Sequence, residues 1–167
     1  RSVEEARAID KRSLEAWLAE VPIRIRAGQF KEAAMAADTA VSIAPESASA
    51  QYQKGAAAHV QGNLGGAKAA YDRAVQLDSK HADARVARAG IAIDEKRYAD
   101  AAGDLAALKT FAPQDPRGAY MRALIAERNR DRAASQTALK EVTDLIDPVP
   151  IEFIRYKPQM LMLNGLA

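Results

Sequence analysis

The chain has 167 residues, 28% charged and 49% apolar, so it can form a core and lies outside the range of disordered compositions. Its 24 Lys and Arg against 22 Asp and Glu leave a net charge of +2, which sets aside a strongly basic nucleic-acid binder and an acidic tail. The absence of cysteine excludes disulfides, thiolate nucleophiles, CxxC redox chemistry and thiolate zinc sites, and His59 and His81 are too few for a histidine-rich metal site.

Alanine dominates, with 38 residues against 12 leucines and nine aromatics. It is the best helix former and lets helix backbones approach closely, so an all-α protein is expected. In chain order, residues 1–13 place Val3, Ala6 and Ile9 on one helical stripe. Residues 14–47 follow with Trp17, Gly28, Phe30, Ala33, Ala40 and Pro45. Pro22 predicts a kink or a late helix start there, and one long helix from Val3 to Glu20 is an alternative. Residues 48–81 carry Gly55, Gly62, Ala67, Tyr71 and Ala74. In 82–115, Val86, Ala89 and Ile93 predict a helix from Ala82 to about Lys96, and Ala101, Leu105, Leu108 and Phe111 a second from Ala99 to about Phe111. Lys96-Arg97-Tyr98 reads as the tight turn between them, and Pro113 closes the unit. The two form an antiparallel hairpin, with Ala89 and Ala101 at its closest crossing. Residues 116–149 keep Ala123, Leu139 and Val142 but put Arg130 and Arg132 where earlier units have a turn glycine and an aromatic. Residues 150–167 read as an insertion, around Pro148–Pro158, and the start of a further repeat from Pro158 to Ala167.

These units share a period of 34 residues. Ala33 steps to Ala67, Ala101 and Ser135, all small. Ala37 steps to Tyr71, Leu105 and Leu139, and Ile43 to Leu77, Phe111 and Leu145. With a partial unit at each end, the chain reads as a piece of a longer array.

The pattern resembles the tetratricopeptide repeat (TPR) family. The likeness rests on Trp17, Gly28, Phe30, Ala33, Ala40 and Pro45 in the first unit, and on Ala89, Tyr98, Ala101 and Pro113 in the third. It implies a right-handed α-solenoid of antiparallel hairpins whose first helices line a concave groove. Carried over, the groove positions include Leu18, Tyr52, Gln53, His59, Val86, Tyr120 and Met121. Such a surface suits a protein or peptide partner, since tyrosine and methionine give large contact areas. The asparagine of TPR chaperone-tail clamps is missing, because Ala19, Gln53, Ala87 and Met121 stand at its positions.

A second reading is an anion-binding surface for polysaccharide or nucleic acid on Lys54, Arg85, Arg88, Arg122 and Arg128, three of which recur at the 34-residue step. A solvated face, paired by helix spacing with Asp94, Glu95, Glu127 and Asp131, competes with it and is favoured, which leaves nucleic acid a disfavoured partner. No catalytic set, metal site or cofactor motif is legible, and Gly62, Gly65 and Gly66 read as a turn rather than a phosphate loop. No stretch is long and apolar enough to span a membrane. Self-association through exposed terminal helix faces is a third reading. The Ala-rich, Cys-free composition is similar to that of bacterial TPR proteins, and residues 153–167 resemble exopolysaccharide- and exosortase-associated ones, which implies a periplasmic setting.

Overall fold

The computed structural model describes residues 13–146, and the segments read above as partial repeats and insertion at either end lie outside them. Eight helices occupy the described residues: α1 (Leu14–Arg26), α2 (Phe30–Ile43), α3 (Ala48–Val60), α4 (Leu64–Leu77), α5 (Ala82–Asp94), α6 (Tyr98–Phe111), α7 (Pro116–Arg128) and α8 (Arg132–Ile146). No strand occurs among the described residues, and the fold is all-α, of the helical-repeat solenoid class. The chain divides into two compact units, Arg1–Ala84 and Arg85–Ala167.

The first helix of each hairpin is started by a side chain at the same step. Ser13, Ser47, His81 and Asp115 each accept a backbone N–H of the first turn, from Ala16, Ala50, Ala84 and Arg117, at 3.4, 3.2, 3.2 and 3.0 Å. This satisfies donors that a helix start otherwise leaves orphaned. Ser13 is extended at φ −64° and ψ 111°, so α1 begins at Leu14 and one helix through Val3–Glu20 is ruled out. Pro22 lies inside α1, which neither starts late nor ends there.

Each hairpin turns through one residue with positive φ: Gly28 at 72°, Gly62 at 76°, Lys96 at 61° and Arg130 at 60°. The next N–H then reaches back to a carbonyl of the helix just ended, as in Gln29 to Arg24 at 2.9 Å and Arg97 to Ala92 at 2.7 Å, closing the helix. Glycine adopts this conformation freely, whereas a side chain crowds the following carbonyl. Lys96→Gly is therefore expected to stabilise the protein by on the order of 1 kcal/mol, read as a rise of roughly 3 °C in the thermal midpoint. An unchanged or lower midpoint would show that Lys96 is not strained.

The cores are built from alanine. In the first unit Val21, Ala33, Ala36, Ala37 and Ala57 form one cluster, with Trp17 and Ile25 against it. In the second, Ala89, Ala92, Ala101 and Leu105 pack together, and Met121 and Ile125 of α7 lie on them. A further cluster joins Ala119 of α7 to Val142 and Ile146 of α8. Volumes compensate across the first three hairpins. Val21 shares a cluster with Ala37, Ala89 shares one with Leu105, and Gly55 meets the ring of Tyr71. Where the first helix is bulky the second is small, and the reverse, which keeps the packing dense. In the third hairpin the helix limits shift slightly from those read in the sequence: α5 ends at Asp94 rather than Lys96, and α6 begins at Tyr98 rather than Ala99.

Candidate functional site

In the first unit, two of the expected groove positions, Tyr52 and His59, meet in an aromatic cluster with Tyr71 and His81. Tyr71 of α4 is buried, because Gly55 leaves room for its ring. Tyr52 of α3 lies 5.8 Å from it, centroid to centroid, and 5.3 Å from His81, both tilted. His59 meets the edge of Tyr71 at 6.4 Å. Such offset and edge contacts favour the ring quadrupoles and hold the rings in place. His81 Nδ1 accepts the Ala84 N–H, so that nitrogen carries no proton and the ring is oriented by the backbone. Burial, reinforced by the neighbouring Tyr52, pushes the Tyr71 phenol above its usual range and keeps it neutral. Tyr52, Gln53, His59 and Leu18 are all half-buried. Tyr52 also covers Ala74, Val75 and Ala84. It presents a rigid, partly exposed ring rather than a free one.

In the second unit the predicted positions separate. Val86 is only 8% exposed and offers a partner little surface. Met121 is half-buried, packed on Ala89, Ala101 and Leu105. Tyr120 rests on Ala119, Val142 and Ile146, and its exposed part lines an open cleft on α7 and α8.

The basic residues have acidic partners, but not those that helix spacing suggests. Lys54 Nζ lies 3.0 Å from Asp38 Oδ1. Arg85 Nη1 donates to Asp104 Oδ1 at 2.8 Å, and Arg88 grips the same carboxylate through Nε at 2.7 Å and Nη2 at 2.5 Å. Arg122 Nη2 lies 2.9 Å from Glu141 Oε2, and Lys109 Nζ 3.1 Å from Glu141 Oε1. Partial burial raises the Glu141 pKa, but hydrogen bonds and charge from Arg122 and Lys109 together outweigh it and hold the carboxyl below its usual range. Arg128 is exposed in the last turn of α7 and makes no ion pair among the described residues. Thus four of the five basic side chains named as an alternative anion site face carboxylates from the helix across.

The sequence reading missed Asp104, which is 5% exposed. A signal was present. Asp104 stands in the 34-residue column of Ala36, Ala70 and Ala138, all buried, and a lone carboxylate in a buried alanine column demands a counter-charge. It also missed that Arg130 and Arg132, read as degeneracy of the turn, line the same cleft as Tyr120.

Among the described residues no helix is long and apolar enough to cross a membrane, and no group of three or more His, Asp or Glu is placed to hold a metal ion. Two profiles of the tetratricopeptide repeat match, over residues 18–82 and 58–125, together well over half of the chain. No curated protein matches the sequence. Among solved structures, a crystal structure of MamA superposes with a TM-score of 0.72 at 19% identity, over 89% of this chain and 86% of that one. PilW, a widely conserved type IV pilus biogenesis factor, gives 0.77 at 18% identity over 99% and 76%. The Cut9–Hcn1 hetero-tetramer of the APC/C gives 0.81 at 14% identity, covering 89% of this chain and 28% of that one. At these identities the likeness is one of fold. The repeat columns, the hairpins they form and the two profile matches agree, and the chain belongs to the tetratricopeptide repeat family.

Proposed function

We propose that the chain is a non-catalytic protein-interaction scaffold that holds a peptide or partner domain against its first-helix faces. Tyr52 anchors the contact in the first unit and Tyr120 in the second. The observation that carries this reading is the fixed ring of Tyr52, held against Tyr71 and His81 and still partly exposed. A ring already immobilised loses little entropy on binding, which is the property of an interface hot spot. The polar groups support a non-catalytic role, because Asp104, Glu141 and His81 are engaged in ion pairs and a helix cap. The anion-surface alternative has less support, since Lys54, Arg85, Arg88 and Arg122 are matched by carboxylates. The bacterial, periplasmic and exopolysaccharide setting rests on composition and on residues 153–167, which lie outside the described residues, and forms no part of this proposal.

The test is capture from source-cell extract with the full chain as bait, washed at low and high salt, beside Tyr52→Ala and Tyr120→Ala baits shown by circular dichroism to be folded. A protein retained at high salt and reduced about tenfold on Tyr52→Ala is the expected result, since a hot-spot side chain is worth about 1–2 kcal/mol or more. Equal capture by all three baits would overturn the anchor assignment. Capture at low salt only would move the function to the basic surface.

A further inference from the structure

The four side chains that start the first helices of the hairpins are not chemically alike. Ser13, Ser47 and Asp115 cap with an oxygen, whereas His81 caps α5 with Nδ1, 3.2 Å from the Ala84 nitrogen. A serine hydroxyl does not titrate near neutrality, and a carboxyl group keeps an acceptor oxygen whether charged or protonated. An imidazole differs from both, because its acceptor is the lone pair that a proton takes. Once protonated, Nδ1 is a donor facing another donor, and its positive charge lies at the positive end of the α5 dipole. Of these four caps, His81 is the one that mild acid can remove.

The same ring carries a second contact. It lies 5.3 Å from the Tyr52 ring, centroid to centroid, at an interplanar angle of 37°. Tyr52 in turn packs on Ala84, the residue whose N–H His81 holds, so the cap and the ring pair meet at one point. His81 is half-buried, open enough to exchange a proton with solvent. The charged groups beside it are accounted for along the chain. Asp78 Oδ1, in the loop before it, accepts the Lys80 N–H at 2.9 Å, and Arg85, after it, turns to Asp104. Asp83 lies in the first turn of α5. From α3 the titratable group that faces His81 is Tyr52, with His59 of the same helix at the edge of Tyr71.

We propose that His81 is a proton-operated latch on Tyr52. Neutral, it caps α5 and braces the Tyr52 ring. Protonated, it gives up the cap and swings off the ring, and Tyr52 loses its fixed position. The capped fold holds Nδ1 without a proton, whereas the unfolded chain takes one up freely in the range where imidazole titrates. Acid therefore draws the equilibrium toward unfolding, and stability rises with pH across that range. The consequence for function, a partner hold that weakens in acid, rests on the reading of Tyr52 as the anchor; the latch itself does not.

The experiment compares thermal melts of the full chain at pH 7.5 and pH 5.0, at constant ionic strength, with those of His81→Asn and His81→Ala. Asparagine keeps a capping acceptor and does not titrate, and alanine provides no cap at any pH. Acid is expected to lower the wild-type midpoint by roughly 3 °C more than that of His81→Asn. His59 and the carboxylates titrate in both chains, so the difference reports His81. His81→Ala should start roughly 3 °C below wild type at pH 7.5 and lose no more in acid than His81→Asn. An NMR cross-peak between the ring protons of Tyr52 and His81 should be present at pH 7.5 and lost at pH 5.0, while circular dichroism shows the chain still folded. Equal pH dependence of wild type and His81→Asn, a Tyr52–His81 contact that persists at pH 5.0, or a wild type no more stable than His81→Ala at pH 7.5 would overturn the proposal. None of these measurements needs the partner. A Tyr52→Ala bait that captures as well as wild type would therefore sink the anchor reading alone.

Discussion

Asp104→Ala is expected to destabilise the protein by about 3 kcal/mol and to lower its thermal midpoint by roughly 10 °C. The carboxylate is 5% exposed and shared by two guanidiniums, one of them gripping it with two nitrogens. Removing it leaves Arg85 and Arg88 held side by side, at side-chain exposures of 14% and 26%, without the charge that lets them share that space. The two arginines then lose the carboxylate they share, and part of their desolvation and mutual repulsion goes uncompensated. Asp104→Asn should fall between, keeping one acceptor oxygen but losing the charge. Exchanging all three, as Arg85→Met, Arg88→Leu and Asp104→Ala, should recover most of the loss, because apolar packing replaces the ion triad without stranding a charge. Thermal melts of the three variants decide the matter. A midpoint within about 2 °C of wild type for Asp104→Ala would mean that the pair is hydrated and structurally idle. The same variant should gain salt-sensitive retention on a polyanion resin, because the two arginines lose the carboxylate that neutralises them.

That triad also marks where the sequence is legible and where it is not. Burial at 0% exposure of Ala33, Ala67 and Ala101 follows from a column that stays small at every 34-residue step, since a helix crossing admits only small side chains. Ion-pair partners are different. Helix spacing along and just past α5 and α7 offers Asp94, Glu95, Glu127 and Asp131, yet Arg88 turns to Asp104 on α6 and Arg122 to Glu141 on α8. A pair within one helix depends on interval alone, whereas a pair across a hairpin depends on the crossing angle and register of two helices, which the interval does not encode. The candidate site divides in the same way. The Tyr52 position follows from the repeat column, but its stacking on His81 depends on His81 serving as the cap of α5. Arg130 and Arg132 interrupt the turn motif in the sequence, but that they line one cleft with Tyr120 depends on how α7 and α8 lie together, which the repeat step does not encode.

Gly55→Ala tests the fit that places Tyr52. A methyl at residue 55 would lie 2.5 Å from both Cδ1 and Cε1 of Tyr71, well inside van der Waals contact. The Tyr71 ring is 2% exposed, with Tyr52 and His59 against it, so it has no open space to move into. Alanine gains about 1 kcal/mol of helix propensity over glycine, while overpacking a dense site costs about 1–3 kcal/mol and forces neighbours off their rotamers. The expected net effect is a loss of about 1–2 kcal/mol, or a midpoint lowered by roughly 5 °C. Gly103→Ala in α6 is the matched control, because nothing lies within 4 Å of a methyl there, and it should raise the midpoint by roughly 3 °C. The opposite signs separate packing from propensity. Adding Tyr71→Leu to Gly55→Ala should restore stability, since Leu105 with Ala89 already shows that pairing in the third hairpin. It should not restore partner capture, because the ring that positions Tyr52 is gone. If Gly55→Ala melts above wild type, Tyr71 has room to shift, and the argument that Tyr52 is a preorganised anchor loses its basis.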